Sequence, residues 1–210
     1  MSVQDTAGVD ASEIDTKGEV FGHGVESRAL FWIALVFSTF QIVTAAYSPL
    51  SSLPVRSIHV GFLLLMVFAL YAAMDRGNPV KAAAAWGLGA VSFVLSLYHL
   101  VFEGDLVQRS GDPSTTDLVV GTIMVALVFE AARRLMGIAL PLLCLVFVAY
   151  VAFGQYLPSP LGHRGYGFDQ IINQYFLGTE GIFGIPCYVS STYIFLFILF
   201  GSFLEQAGMI

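Results

Sequence analysis

Three histidines have the greatest potential for chemistry in this sequence. His59, His99 and His163 could ligate a metal or carry protons. A metal site would need two of them to converge, with a carboxylate, yet neither an H-x₃-H nor an H-E-x-x-H pattern occurs. Each lies at the predicted outer end of an apolar segment or in an outer loop. We therefore predict interfacial histidines that hydrogen-bond lipid headgroups, water or backbone, and no metal site.

Other chemistry-bearing patterns are weak. A proton relay needs ionisable groups in the middle of membrane spans, and only Glu130 comes close, with Arg133 and Arg134 one turn away. We expect Glu130 and Arg134 to pair at i, i+4 at the end of the fourth span. We find no nucleophile–base pair, phosphate-cradling glycine loop or paired catalytic carboxylates. Cys144 and Cys187 lie in apolar stretches and are interpreted as small apolar side chains. The sequence thus predicts no enzyme, no cofactor, and no catalytic or metal-binding residue.

Long apolar stretches dominate the chain. Ala29–Val55 contains no Asp, Glu, Lys or Arg, and four later stretches are equally free of them. A bilayer core about 30 Å thick needs roughly 20 apolar residues in a helix. The fold class predicted is an all-α integral membrane protein with about six transmembrane helices. The predicted spans are Ala29–Tyr47, Ser57–Met74, Ala82–Phe102, Leu118–Leu135, Ile138–Leu157 and Val189–Leu204.

The loops between these spans are predicted from helix-breaking residues. Pro49 and Pro54, Gly77-Asn78-Pro79, Gly111-Asp112-Pro113, and Pro158 with Pro160 fall between apolar segments. The longest polar connection, Glu103–Asp117, is the best candidate for a domain boundary.

Composition supports the same class of protein. Hydrophobic residues make up 57% of the chain and charged residues 11%, against roughly 25% charged in an average soluble domain. No basic face is available for nucleic acid, so we predict no nucleic-acid partner. Much of the net charge of −6 comes from acids before residue 28. Residues 1–27 are therefore predicted to be a disordered acidic cytoplasmic tail.

Orientation follows from the nine Lys and Arg residues. With six spans and a cytoplasmic amino terminus, the distribution of basic residues obeys the positive-inside bias. The predicted inside set is Lys17, Arg28, Arg76, Lys81, Arg133 and Arg134, and the outside set is Arg56, Arg109 and Arg164.

A short segment after the fifth span has the pattern of an amphipathic helix. Phe168, Ile171, Ile172, Tyr175 and Phe176 follow the spacing of one helix face, and polar residues fill the other. We predict a short interfacial helix over Phe168–Phe176 that lies on the membrane surface or braces a moving part; ordinary loop structure is the alternative.

Two patterns predict contacts between helices. Ala83/Gly87 and Ala85/Gly89 are small-xxx-small pairs, which allow close helix approach but also occur simply because alanine favours helices. Gln41 and Thr44, in the first span, are expected to form interhelical hydrogen bonds rather than a binding site.

The chain from about Asp117 to Ile210 resembles a transporter family. The segments "FEAARRLMGIALPLLCLVF", "LGHRGYGFDQIINQYFLGTEGIFGIP" and "GIFGIPCYVSSTYIFLFILFGSFLEQAGMI" resemble the start of the large membrane subunit of tripartite ATP-independent periplasmic (TRAP) transporters. They look most like TAXI-type permeases, in which the small and large membrane subunits are fused. Residues 28–102 resemble the small subunit more loosely.

This resemblance implies a domain organisation. Residues 28–115 would be a small-subunit-like membrane domain of three spans. Residues 116–210 would be the start of a large-subunit-like transport domain, with three spans and the amphipathic helix. The re-entrant hairpins that carry substrate and ions in the family have no counterpart before Ile210. We therefore expect the substrate site beyond Ile210, and expect this chain alone not to transport.

The resemblance also implies a function. The expected protein is the scaffold part of a membrane permease, in a secondary transporter for organic acids driven by a sodium or proton gradient. Its expected partners are a periplasmic solute-binding protein, the remainder of the large membrane subunit and the lipid bilayer, and its expected location is the bacterial inner membrane. The alternative is a non-transporting integral-membrane scaffold or assembly subunit of another complex.

Overall fold

The protein is an all-helical bundle. The computed structural model describes residues 25–47, 50–74, 78–109 and 111–209, with side chains from residue 28 onward, and no strand occurs in these ranges. The helices are α1 Val25–Tyr47, α2 Ser52–Met74, α3 Pro79–Ser96, α4 Tyr98–Val101, α5 Glu103–Gln108, α6 Thr115–Met136, α7 Ala139–Phe153, α8 Phe168–Ile172, α9 Ile185–Val189 and α10 Phe195–Gln206. A 3₁₀ turn follows α7, and π-helical turns over Asn173–Leu177 and Ser190–Ile194 extend α8 and join α9 to α10.

Six helical segments within the described ranges are long and apolar enough to cross a membrane. These segments are Arg28–Tyr47, Ser52–Met74, Pro79–Val101, Thr115–Met136, Ala139–Tyr156 and Ile185–Gln206. Each of the six predicted spans overlaps one of them, so the predicted number and order of long apolar helices are confirmed. Residues 1–24 of the predicted acidic tail lie outside the described residues, and α1 begins at Val25.

The bundle has two ends, which we name by their residues. The histidine end holds His59, His99 and His163, and the arginine end holds Arg133 and Arg134. Helices α2 and α6 run in the same direction. Tyr71, near the end of α2, bonds the Arg134 carbonyl near the end of α6. Ser57, near the start of α2, lies beside His99, whose neighbour Tyr98 bonds Asp117 near the start of α6. Helices α1 and α3 run antiparallel to α2.

The centre of the bundle is the packing of α2 against α3 and α6. The largest buried cluster combines residues of α2 and α6 with two aromatic residues from the segment that follows α7. Its buried members are Leu64, Phe68, Met124, Leu127, Ala131, Phe176 and Phe183. This core thus contains residues from both sides of the boundary predicted near residue 115.

Small residues set the spacing between α2 and α3. A Cβ on Gly89 would lie 3.2 Å from Leu65 Cδ1 and 3.3 Å from Phe68 Cβ, so the glycine allows close approach. Ala85, one turn earlier, is buried. Gly87 meets nothing within 4 Å. Of the two small-xxx-small pairs, therefore, Ala85/Gly89 is used between these helices.

Two predicted boundaries are wrong. Helix α2 begins at Ser52, not Ser57, and Pro54 lies in its first turn instead of in a loop. Proline is tolerated there because the first amides of a helix have no intrahelical acceptor. The predicted polar loop Glu103–Asp117 contains helix α5, and its last residues begin α6. Ser114 caps α6 through a reciprocal capping box with Asp117.

The amphipathic segment is helical, as its periodicity predicts. Ile171, Ile172 and Phe176 are buried, whereas Asp169 and Gln174 are exposed. The buried face packs on α6 and on the core cluster. Phe168, predicted on the apolar face, is 59% exposed, because it lies at the first turn, beyond the edge of this contact.

Candidate functional site: a buried polar cluster at the histidine end

Buried polar side chains gather at the histidine end of the bundle. Helix α2 contributes Ser57 and His59, which lie two positions apart and so face different neighbours. We call the whole set the polar cluster: Gln41, Ser57, His59, Ser96, Tyr98, His99, Asp117, Ser190 and Ser191. Polar groups buried between helices remain stable only when they are hydrogen-bonded.

The first part of the polar cluster joins α1, α2 and the last span. Gln41 Nε2 lies 2.5 Å from His59 Nδ1 and donates to the Ser191 carbonyl oxygen at 3.1 Å. His59 Nε2 lies 3.2 Å from Ser190 Oγ. If Gln41 donates to Nδ1, the ring proton is on Nε2 and points at the serine. Phe37 and Phe195 pack beside the imidazole.

The π turn explains why the last span can take part. A π turn widens the helix locally and changes which backbone carbonyls the helix itself uses. Ser191, in this turn, presents its carbonyl to Gln41, and Ser190 presents its hydroxyl to His59. The turn therefore places two polar groups of the last span against α1 and α2.

The second part joins α2 to the end of α3. Ser57 Oγ donates to the Ser96 carbonyl oxygen at 2.6 Å and lies 3.3 Å from His99 Nδ1. Gly61 permits this approach, since a Cβ there would overlap Ser96 Oγ. The His99 ring packs edge-on against Phe176 and Phe183, with centroids 4.7 and 4.9 Å away. His99 is fully buried.

The third part fixes the start of α6. Asp117 is fully buried, accepts hydrogen bonds from the Tyr98 hydroxyl and the Ser114 amide, and pairs with Arg109 Nη1 at 3.3 Å. One carboxylate thus ties α4, the end of α5 and α6 together. The sequence pattern shows the capping box, but not the tyrosine and arginine partners.

These contacts correct the prediction for two histidines. His59 and His99 do not face lipid headgroups, because both rings pack inside the bundle. The early start of α2 places His59 about two turns inside that helix. His163 agrees with the prediction of backbone contacts: its ring nitrogens lie 2.8 and 3.2 Å from the Arg164 and Tyr150 carbonyl oxygens.

The prediction for the polar residues of the first span is half right. Gln41 forms the expected interhelical hydrogen bonds. Thr44 donates instead to the Phe40 carbonyl oxygen of its own helix, at 2.9 Å. A threonine hydroxyl satisfied within its helix needs no partner on a neighbour.

The arginine end has an ion-pair cluster. Glu130 accepts from Arg133 Nε at 2.8 Å and from Arg134 Nε at 2.7 Å, so the predicted i, i+4 pair forms and gains a second arginine. The Arg134 guanidinium also lies over the ring of Phe68, 5.1 Å from its centroid. The Tyr71 hydroxyl donates to the Arg134 carbonyl oxygen. This end of α6 is therefore fastened to α2.

Catalytic or metal-binding geometry is not evident in these contacts. The described residues contain no group of three or more His, Cys, Asp or Glu side chains able to hold a metal. Most bonds of the polar cluster link different helices, and among the described residues Gln41 Oε1 and His99 Nε2 have no hydrogen-bond partner. These bonds hold the helices of the bundle together.

Compared with protein-family models, curated proteins and solved structures, the chain has no significant match.

Proposed function

We propose that this chain is an integral membrane protein that serves as the scaffold part of a binding-protein-dependent, ion-driven permease for organic acids. The observation that carries the proposal is a bundle of six membrane-length apolar helical segments held together by buried polar contacts. Backbone amides in lipid must be satisfied within the chain, and helices satisfy them.

Exposed apolar side chains and the position of the ion pairs support the membrane part of the proposal. In the first membrane-length segment, only 17% of the residues in its 18-residue apolar stretch are buried inside the protein. In the segments that begin at Ala139 and Ile185, only 6% are buried. Leu143, Phe147, Phe197 and Phe203 are each more than half exposed. Such surfaces suit lipid or neighbouring apolar protein, not water. Ion pairs, in contrast, lie at the ends of helices.

Packing supports the scaffold part. Helices α2, α3 and α6 share a core, and the polar cluster adds hydrogen bonds from α1 and the last span. A frame against which another part moves must itself resist deformation, and close packing with paired buried groups provides that resistance. Organic-acid transport, the binding protein and gradient coupling come from the TRAP resemblance.

Deletion of the gene tests the transport assignment. We expect cells lacking it to lose sodium- or proton-gradient-dependent uptake of a radiolabelled organic acid, chosen from a panel of dicarboxylic and keto acids. Plasmid-borne wild-type gene should restore uptake. A Gly87→Ala copy, altered at an open position, should restore it equally.

A second measurement identifies the alternative function. Membranes from the deletion strain are resolved by native gel electrophoresis and mass spectrometry. Unchanged uptake of every acid, together with loss of an unrelated membrane complex, would replace the transporter proposal by a non-transporting assembly subunit.

A further inference from the structure

Three clefts at the surface of α1 and the last span adjoin one another, because they share lining residues, and together they are called the groove. The central cleft, of about 390 Å³, lies at the histidine end between the end of α1, the start of α2 and the start of the last span. It shares Thr44 and Leu50 with a cleft of about 540 Å³ along α1. It shares Thr192 and Leu196 with one of about 270 Å³ along α10.

The central cleft lies beside a cation. Its lining is mostly apolar, with Ser52 and Tyr188 among its polar side chains. Arg56 contacts two of the residues that line the cleft: Nε donates to Ser52 Oγ at 3.1 Å, and the guanidinium lies over the Tyr188 ring, 4.7 Å from the centroid. Nη1 donates to the Phe183 carbonyl oxygen at 2.7 Å. Among the described residues Arg56 forms no ion pair.

The two flanking clefts are apolar furrows. Leucine, valine and aromatic side chains make up most of their lining, and two of their threonines hydrogen-bond within their own helices. Thr39 donates to the Leu35 carbonyl oxygen at 2.8 Å, and Thr192 to that of Tyr188 at 2.7 Å. Hydroxyls satisfied within their own helices leave methyl groups toward the furrows.

The furrows also have suitable length and direction. Both start at the central cleft and run toward the middle of the bundle. At 1.5 Å per residue, the α1 furrow extends about 18 Å from Thr44 to Trp32. The other extends about 12 Å from Thr192 to Phe200. One leaflet of a bilayer core is about 15 Å thick.

We infer that this groove binds one anionic glycerophospholipid, with its phosphate at Arg56 and its two acyl chains in the furrows. Guanidinium groups bind phosphate through charge-assisted hydrogen bonds. A small organic anion would use the central cleft alone and leave both furrows empty. A net anionic headgroup is favoured, since an ammonium would face Arg56, which pairs with no carboxylate among the described residues. The inference rests on the proposed membrane location, not on transport.

Native mass spectrometry of the purified chain tests the site. The chain in detergent is titrated with phosphatidylglycerol and, separately, with phosphatidylethanolamine. We expect one phosphatidylglycerol to bind most tightly. Arg56→Gln should weaken it about tenfold, the effect of losing a charge-assisted hydrogen bond, and Arg56→Lys less. Val36→Trp, which fills the α1 furrow at a 53% exposed position, should also weaken it.

Matched controls separate this site from general lipid adhesion. Arg164→Gln removes an exposed cation at the same end of the bundle, and Val146→Trp enlarges a 58% exposed side chain on α7. Neither should change binding. Circular dichroism and gel filtration establish that each variant is folded; should Arg56→Gln fail to fold, Arg56→Lys and Val36→Trp carry the test. Equal lipid binding by all variants, or no preference for phosphatidylglycerol, would overturn the inference. Since no transport is measured, its failure leaves the proposed function untouched.

Discussion

Gln41 connects three elements of the bundle through its side chain. It contacts His59 on α2 and the Ser191 carbonyl in the π turn, while itself belonging to α1. Interhelical hydrogen bonds in membrane proteins contribute about 0.6 kcal/mol each, up to about 1.7. A residue that serves two helices at once therefore has more influence on the bundle than any single pair.

Replacing Gln41 should destabilise the bundle measurably. Gln41→Ala leaves His59 Nδ1 and the Ser191 carbonyl without a donor, so we expect a loss of about 1–2 kcal/mol in the free energy of unfolding. Unfolding in mixed detergent micelles, followed by circular dichroism, measures it. Thr44→Val is the control, because Thr44 bonds only within α1. Equal stability of the two variants would show that the Gln41 contacts contribute nothing.

At the residue scale, spacing predicted a contact only where two partners lie within about one helical turn. Glu130 and Arg134 are such a pair, and their ion pair forms. The capping box of Ser114 and Asp117 has the same short spacing but was not predicted. The His59–Ser190 contact joins residues 131 positions apart, and no local pattern indicates it. From the sequence, Arg56 counted only as one of the outside basic residues. The structure places its guanidinium over the Tyr188 ring, beside the groove.

At the scale of elements, apolar length identified the spans but not their starts. Length and composition follow from the thickness of the bilayer, so the number and order of long helices could be predicted. The start of α2 could not, because proline in a first turn and proline in a loop look alike in sequence. The π turns were also missed, since they depend on tertiary contacts rather than on local propensity.

Docking of the amphipathic segment on α6 depends on Gly121. A Cβ there would lie 2.6 Å from Ile172 Cγ2 and 3.0 Å from Phe176 Cδ1, both on buried side chains with no room to move. We expect Gly121→Ala to destabilise by about 1–3 kcal/mol through overpacking. Gly87→Ala, in open space within a helix, should stabilise by about 0.5–1 kcal/mol. Thermal unfolding in detergent compares the two, and the same sign for both would refute the docking.

The two faces of the amphipathic segment should respond differently to charge. Ile172 is 4% exposed against α6, and burying a charge there without a partner is costly, so Ile172→Asp should prevent stable folding or lower it by several kcal/mol. Gln174→Asp, on the exposed face, should change stability by less than about 0.5 kcal/mol. Yield of monodisperse protein and thermal midpoint report both effects. Similar losses would mean that the segment does not bury one face.

For the whole molecule, alternation of the helices fixes which loops share an end. Helices α2 and α6 run in parallel, so the starts of both lie at the histidine end, together with the segment between α7 and α8. Lys81, near the start of α3, lies at the opposite end with Arg133 and Arg134. The two ends carry different basic residues, so labelling of each end tests the predicted orientation directly.

Cysteine labelling tests that orientation. The positive-inside bias places the arginine end in the cytoplasm and the histidine end outside. In a background with Cys144 and Cys187 replaced, Ser159→Cys and Thr179→Cys, at exposed histidine-end positions, should react with a membrane-impermeant maleimide in intact spheroplasts. Lys81→Cys should react only after lysis. The reverse pattern would invert the topology, and labelling of all three in intact spheroplasts would refute a membrane-spanning bundle.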